Sequence, residues 1–134
     1  MENFLDIFSL SKKTAVITGG AGILGRDMAF TLGRAGAKVA ICDIADTGDL
    51  IDDLKEKGID AKGYYIDVLK KDEIVKCHDK VLSDLKKIDI LISAAGGNLK
   101  TATTSEETPF FSLPLEGLEK VIALNLYGGA ILPA

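Results

Sequence analysis

The chain has 134 residues, of which 47% are hydrophobic and 27% charged, and a net charge of −4. That size and balance suit one globular domain and leave no room for a second. An acidic balance argues against a nucleic-acid partner, which normally meets a basic face. The apolar stretches all break far short of the ~20 residues a membrane span requires. The opening MENFLDIF carries acids early and lacks the basic-then-apolar design of a secretory signal. Cys42 and Cys77 have no metal-type spacing and read as two buried or half-buried thiols. A cytoplasmic protein with neither a nucleic-acid nor a membrane partner is the expectation.

Four short apolar runs alternate with segments of helical period, the pattern of a parallel sheet covered by crossover helices. The first run, Thr14 to Thr18, leads directly into glycines. From Leu24 a helix is expected, with Met28, Ala29, Leu32 and Ala35 on one face and Gly36 closing it. A second strand from Lys38 to Asp43 passes through Asp46, Thr47 and Gly48 into a polar helix around Leu50, Ile51 and Leu54, ended by Gly58. The third strand is read from Gly63 to Asp67. A helix follows with Ile74, Val75, Val81, Leu82 and Leu85 on one side, and His78 reads as an exposed residue of it. Ile88 to Ser93 forms a fourth strand, apolar enough to be buried on both faces. A long loop rich in threonine comes next, of a length that usually serves function. From about Pro114 the residues Leu115, Leu118, Val121, Ile122 and Leu126 fall at helical spacing.

Chemistry concentrates at the strand ends. Residues 20 to 25 fit GxGxxG between a predicted strand and a predicted helix, with Thr18, Gly19, Gly20, Ala21, Gly22 and Leu24 forming the turn. Glycines there permit positive φ and close approach of a pyrophosphate, whose charge the helix N-terminus stabilises. Asp43 ends the second strand, 18 positions after Gly25. A carboxylate there accepts hydrogen bonds from both ribose hydroxyls of an adenosine and repels a 2′-phosphate. Its neighbours Ile44, Ala45 and Asp46 provide no cation, so the cofactor read from these residues is NAD rather than NADP. Without the glycine turn, Asp43 would read as an ordinary helix cap. Asp67 and Val68 end the third strand, where they could meet an adenine edge and face.

These residues resemble the short-chain dehydrogenase/reductase family over nearly the whole chain. The family's TGxxxGxG appears with Gly19 and Gly25 in place and the middle glycine shifted from position 23 to Gly22. Its Asn-Asn-Ala-Gly appears as Ser93-Ala94-Ala95-Gly96, without the asparagines. The resemblance implies a doubly wound Rossmann-type α/β fold, here its N-terminal half with strand order 3-2-1-4. It also places Ala94, Ala95 and Gly96 beside the nicotinamide-side ribose. Asn125 resembles the asparagine that holds a proton-relay water, the one catalytic role implied within the chain. Gly97-Asn98, Thr101 to Thr104 and Phe110 to Leu113 are similar to the D-mannonate oxidoreductase (fructuronate reductase) branch, which implies a sugar-acid substrate.

The family's tyrosine, with lysine four residues later, has no counterpart here. Tyr64, Tyr65 and Tyr127 are followed at that spacing by Val68, Leu69 and Ile131. The chain is therefore expected to be the single, partial NAD-binding domain of a longer enzyme, homo-oligomeric in its full-length form and inactive as a fragment. Alternatives are a non-catalytic NAD-binding module, another family member such as a gluconate dehydrogenase or 3-oxoacyl reductase, and, more distantly, a methyltransferase.

Overall fold

A run of β-branched and small apolar residues favours extended backbone and dry surroundings. The first such run forms β1 (Thr14–Thr18), buried at every position. In the computed structural model, which describes residues 4–134, the first three residues of the MENFLDIF segment lie outside the described residues. A 3-10 turn (Phe4–Phe8) precedes β1. The elements then follow in the order α1 (Ile23–Arg34), β2 (Lys38–Asp43), α2 (Gly48–Glu56), β3 (Ala61–Tyr65), α3 (Lys71–Leu85), β4 (Ile90–Ser93) and α4 (Leu115–Ile122). A π-helical segment, Ala123–Ile131, continues α4. The sheet is parallel throughout in the order β3-β2-β1-β4, as the sequence implied. No helix among the described residues is long and apolar enough to cross a membrane.

Alternate residues of the inner strands face opposite layers. Ile17, Val39 and Ile41 pack with Ala29 of α1 and with Leu50, Ile51 and Leu54 of α2. Val16, Ala40 and Cys42 pack on the other side with Cys77, Val81 and Leu85 of α3. Gly36 (φ +102°) and Gly58 (φ +75°) reverse the chain after α1 and α2, as C-terminal glycines do.

Four expectations need correction. The third strand runs from Ala61 to Tyr65 rather than from Gly63 to Asp67; it stops early because Asp67 turns the chain out of the sheet by accepting the Leu69 N–H at 3.0 Å through its own carboxylate. The fourth strand begins at Ile90 rather than Ile88. There the Asp89 carboxylate takes the Thr14 N–H at 2.8 Å, so a side chain stands where the ladder would begin. Among the described residues that strand is also not buried on both faces: it is the outer strand there, its burial alternates, and Leu91 is 39% exposed. On α3 the buried stripe runs through Ile74, Cys77, Val81 and Leu85 at steps of three and four, which leaves Val75 outside.

Candidate active site

The chain leaves β1 toward one face of the sheet and β4 toward the other. After β1 it enters α1, which packs beside Ile41; after β4 it reaches Leu124, which packs on the α3 side. Two neighbouring parallel strands whose connections diverge open a crevice at their carboxyl ends. A cleft of about 550 Å³ lies there.

Its floor is the glycine turn. Gly19 has φ +66°, and a Cβ on it would lie 2.6 Å from the Ala95 amide nitrogen and 2.8 Å from the Ala94 carbonyl carbon. Only a residue without a side chain lets the ends of β1 and β4 meet so closely. Gly22 donates its N–H to Gly19 O at 3.2 Å and stands at the N-cap of α1, with no side-chain cap. A Cβ on Gly25 would collide with Gly19 O, so the first turn of α1 lies directly on the loop. Gly20 is buried beneath, its position limited by the Ile41 side chain. The shift of the middle glycine to Gly22 leaves the turn tight and its α1 amides uncapped by side chains, as an anion site requires.

Asp43 reaches across from β2. Its Oδ2 accepts the Ala21 N–H and its Oδ1 the Ala45 N–H, both at 2.9 Å. Each oxygen keeps a further lone pair, so the carboxylate is held in place yet still able to accept. Asp46, not Asp43, serves the start of α2 by accepting the Gly48 N–H at 3.0 Å. Asp67 and Val68 face Asp43 from beyond β3. Glu73 accepts the Asp67 N–H at 2.9 Å. Lys70 Nζ lies between the Glu73 and Asp67 carboxylates at 3.2 and 3.4 Å, and those two anions, Glu73 first, raise the lysine's pKa.

The wall on the β4 side is fixed by Thr18. Its carbonyl accepts the Ala94 N–H at 3.1 Å and its buried hydroxyl the Ala95 N–H at 3.4 Å. Asn125, from the π-helical segment, closes a two-way clamp on Gly97: its Oδ1 accepts the Gly97 N–H at 3.0 Å and its Nδ2 donates to Gly97 O at 2.7 Å. Nδ2 also donates to Val121 O at 2.8 Å.

Of the residues singled out in the sequence, Gly19, Ala21, Gly22, Asp43, Ile44, Asp67, Val68, Ala94, Ala95 and Gly96 line this one cleft. Gly20 supports it from below. Leu24 does not line it and is 69% exposed, and Asn125 holds Gly97 rather than lining the wall. Ala45, Ile66, Leu69 and Leu124 also line the cleft. Each adjoins a residue already noted, but apolar neighbours carry no signal that separates a cleft wall from a core. Tyr64 is buried against α3 with its hydroxyl on Asp84 at 3.1 Å. Burial, then Asp84, pushes its pKa up, so it is a poor proton donor.

The model of the short chain dehydrogenase family matches residues 13–132. The chain belongs to the short-chain dehydrogenases. An uncharacterized oxidoreductase, UxuB, of Bacillus subtilis is 35% identical over 130 residues, covering 90% of this short-chain dehydrogenase and 47% of the relative. A 2-dehydro-3-deoxy-D-gluconate 5-dehydrogenase of Formosa agariphila is 31% identical, with 91% and 45% covered. Among solved structures, a Haemophilus influenzae protein assigned as a D-mannonate oxidoreductase, with bound NAD, superposes with a TM-score of 0.86 at 31% identity. That match covers 98% of this chain and 51% of the neighbour. The short-chain dehydrogenase sequence thus spans about half the length of the curated relatives it matches.

Proposed function

We propose that residues 1 to 134 form a single, partial NAD-binding domain of an enzyme that interconverts a secondary alcohol and a ketone on a sugar acid of the D-mannonate/fructuronate class. The observation that carries the cofactor reading is the Asp43 carboxylate at the cleft mouth, held by Ala21 and Ala45 with lone pairs to spare. NAD has free ribose hydroxyls to donate there, whereas a 2′-phosphate would meet an uncompensated negative charge. Ile44 and Ala45, which follow on the rim, supply no cation. The cleft fits the cofactor on two further counts: the floor of small residues from Gly19 to Gly22, where Ala21 alone carries a side chain, and the uncapped start of α1.

In this reading Gly19, Gly20, Ala21, Gly22 and Leu24 belong to the pyrophosphate turn, with Gly20 and Leu24 shaping it rather than touching the ligand. Asp43 and Ile44 take the adenosine ribose, Asp67 and Val68 the adenine, and Ala94, Ala95 and Gly96 the second ribose. Bound NAD supplies the hydride acceptor, and NADH the donor. Asn125 orients a water for the proton relay; an amide does not titrate, so the proton itself moves on groups beyond those in this chain. Sugar-acid specificity is supported by the names of similar proteins and by the polar loop after Gly97, which carries Asn98, Lys100, Thr103 and Thr104. The full-length enzyme is read as a cytoplasmic homo-oligomer, and the exposed apolar residues Leu115, Leu118 and Ile122 of α4 leave this partial domain prone to self-association.

Calorimetric titration with NAD and NADP tests the cofactor reading. NAD should bind at least about 10- to 100-fold more tightly, each tenfold being ~1.4 kcal/mol. Equal affinity would remove Asp43 from the role given to it. The 134-residue chain should show no turnover of sugar keto-acids with NADH, whereas a reading frame extended to include a Tyr-x-x-x-Lys pair should; equal rates would overturn the relay assignment.

A further inference from the structure

Cys42 closes the buried part of β2, one residue before Asp43, and Cys77 lies on the buried stripe of α3. Neither has a part in the function above. Their sulfurs are 3.6 Å apart, with both side chains buried. They come from positions 35 residues apart, so the pairing is a product of the fold rather than of local sequence. Both also line an apolar groove of about 280 Å³ on the α3 side of the sheet, which shares Ile66 with the nucleotide cleft. The groove reaches the surface at His78, an exposed residue of α3, so a small oxidant has a way in.

We propose that Cys42 and Cys77 are an oxidisable dithiol, converted by a hydroperoxide into an intramolecular disulfide that ties α3 to β2 directly behind Asp43. The sulfurs differ in character. Cys42 is fully buried, and its contact with Cys77, followed by burial, raises its pKa. Cys77 keeps a little exposure, and the contact with Cys42, opposed by burial and helped by Lys80, lowers its pKa. Cys77 is therefore the attacking sulfur. Its thiolate attacks the peroxide, an S–O bond forms as the O–O bond breaks, and the released hydroxide takes a proton to become water. The Cys42 sulfur then attacks the resulting sulfenic sulfur, the S–S bond forms, the S–O bond breaks, and a second water leaves with the Cys42 proton. Two thiols lose two electrons and one hydrogen peroxide gains them. Bond formation brings the sulfurs about 1.5 Å closer, since a disulfide bond is about 2.05 Å long. The backbone at Cys42 and Cys77 takes up that approach. Asp43 adjoins the first, and the Asp67 to Lys70 turn leads into α3. Oxidation therefore weakens the adenosine end of the cleft, a consequence that rests on the nucleotide reading above.

The reduced protein, treated with hydrogen peroxide, quenched and digested without reductant, should give a peptide joining Cys42 to Cys77 within one chain and lose two hydrogens in intact mass. Cys42→Ser should trap or over-oxidise Cys77, and Cys77→Ser should leave Cys42 unreactive in the folded protein. Links only between chains, a sulfinic Cys77 beside a free Cys42, or thiols that react only in urea would each overturn the dithiol. NAD titration before and after oxidation should show affinity about tenfold lower or more, restored by dithiothreitol. Unchanged affinity with the disulfide formed would overturn the coupling. A reduced protein that does not bind NAD at all would instead refute the nucleotide reading and leave the dithiol result standing.

Discussion

Replacing Gly19 with alanine probes the junction on which the cleft depends. The new Cβ meets two penalties. At φ +66° an L-residue sits in left-handed backbone, which costs about 1–2 kcal/mol. The Cβ would also lie 2.6 Å from Ala95 N and 2.7 Å from Ala95 Cα. Both atoms are backbone, and the adjoining β4 is fixed to β1, so no side chain can swing aside. Overpacking of this kind typically costs about 1–3 kcal/mol. The expected loss is thus about 2–5 kcal/mol, a large part of the ~5–15 kcal/mol that stabilises an ordinary domain. Urea unfolding followed by circular dichroism should place the midpoint roughly 1–2 M lower with an unchanged slope. Gly97→Ala is the matched control, because nothing lies within 4 Å of its added Cβ and its φ is not positive. A Gly19→Ala loss below about 0.5 kcal/mol, the range of neutral surface changes, would refute the reasoning. So would equal damage from both substitutions.

Asp43→Asn keeps the side chain's shape but removes its charge and turns one acceptor into a donor facing a backbone N–H. The NAD-over-NADP preference should narrow about tenfold or more by calorimetry, and an unchanged ratio would contradict the role assigned to the charge. Asn125→Ala removes both bonds to Gly97, so amide exchange at Gly97 and proteolysis between residues 97 and 113 should accelerate, while global stability falls by only about 1 kcal/mol; an unaltered exchange rate would argue against the clamp. The Asp89 carboxyl is held below the ordinary range by Lys87 first and then by the Thr14 N–H. Its contribution is therefore present above the unfolded carboxyl value near ~3.9 and is lost as pH falls through the lower folded value. Asp89→Asn should flatten the acid limb of the stability curve, and a parallel limb would show that other carboxylates govern it.

Regions where the backbone itself is chemically constrained could be read before the fold was seen. Gly19, Gly36 and Gly58 all adopt positive φ, and Asp43 stands where a strand-ending acid was expected. The apolar runs disclosed the strands because the inner ones are dry on both faces. Legibility failed where a side chain replaced backbone pairing. Asp67 cut β3 short and Asp89 delayed β4, each with a carboxylate that bonds a main-chain N–H. Asn125 was noted for a family resemblance, yet its clamp on Gly97, 28 residues away, follows only from three-dimensional closure. The Cys42–Cys77 contact was invisible for the same reason. Even the face of α3 was misjudged at Val75, because periodicity tolerates a neighbour one step off the stripe while packing does not.

The position of β1 in the sheet also dictates an order of assembly. One edge of β1 finds β2 after 24 residues, as Ala15 aligns with Val39, whereas the other waits for Ile90, 75 residues along. Closing the longer loop costs about 1 kcal/mol more in chain entropy, and contacts of such separation form late. A β1-β2-β3 unit with α1 and α2 can therefore gather first, during synthesis as well as refolding. Until β4 docks, β1 presents an unpaired edge of apolar residues, the kind of edge that recruits foreign strands. The most completely buried strand of the finished molecule is thus the one whose edge stays bare longest while it is being made.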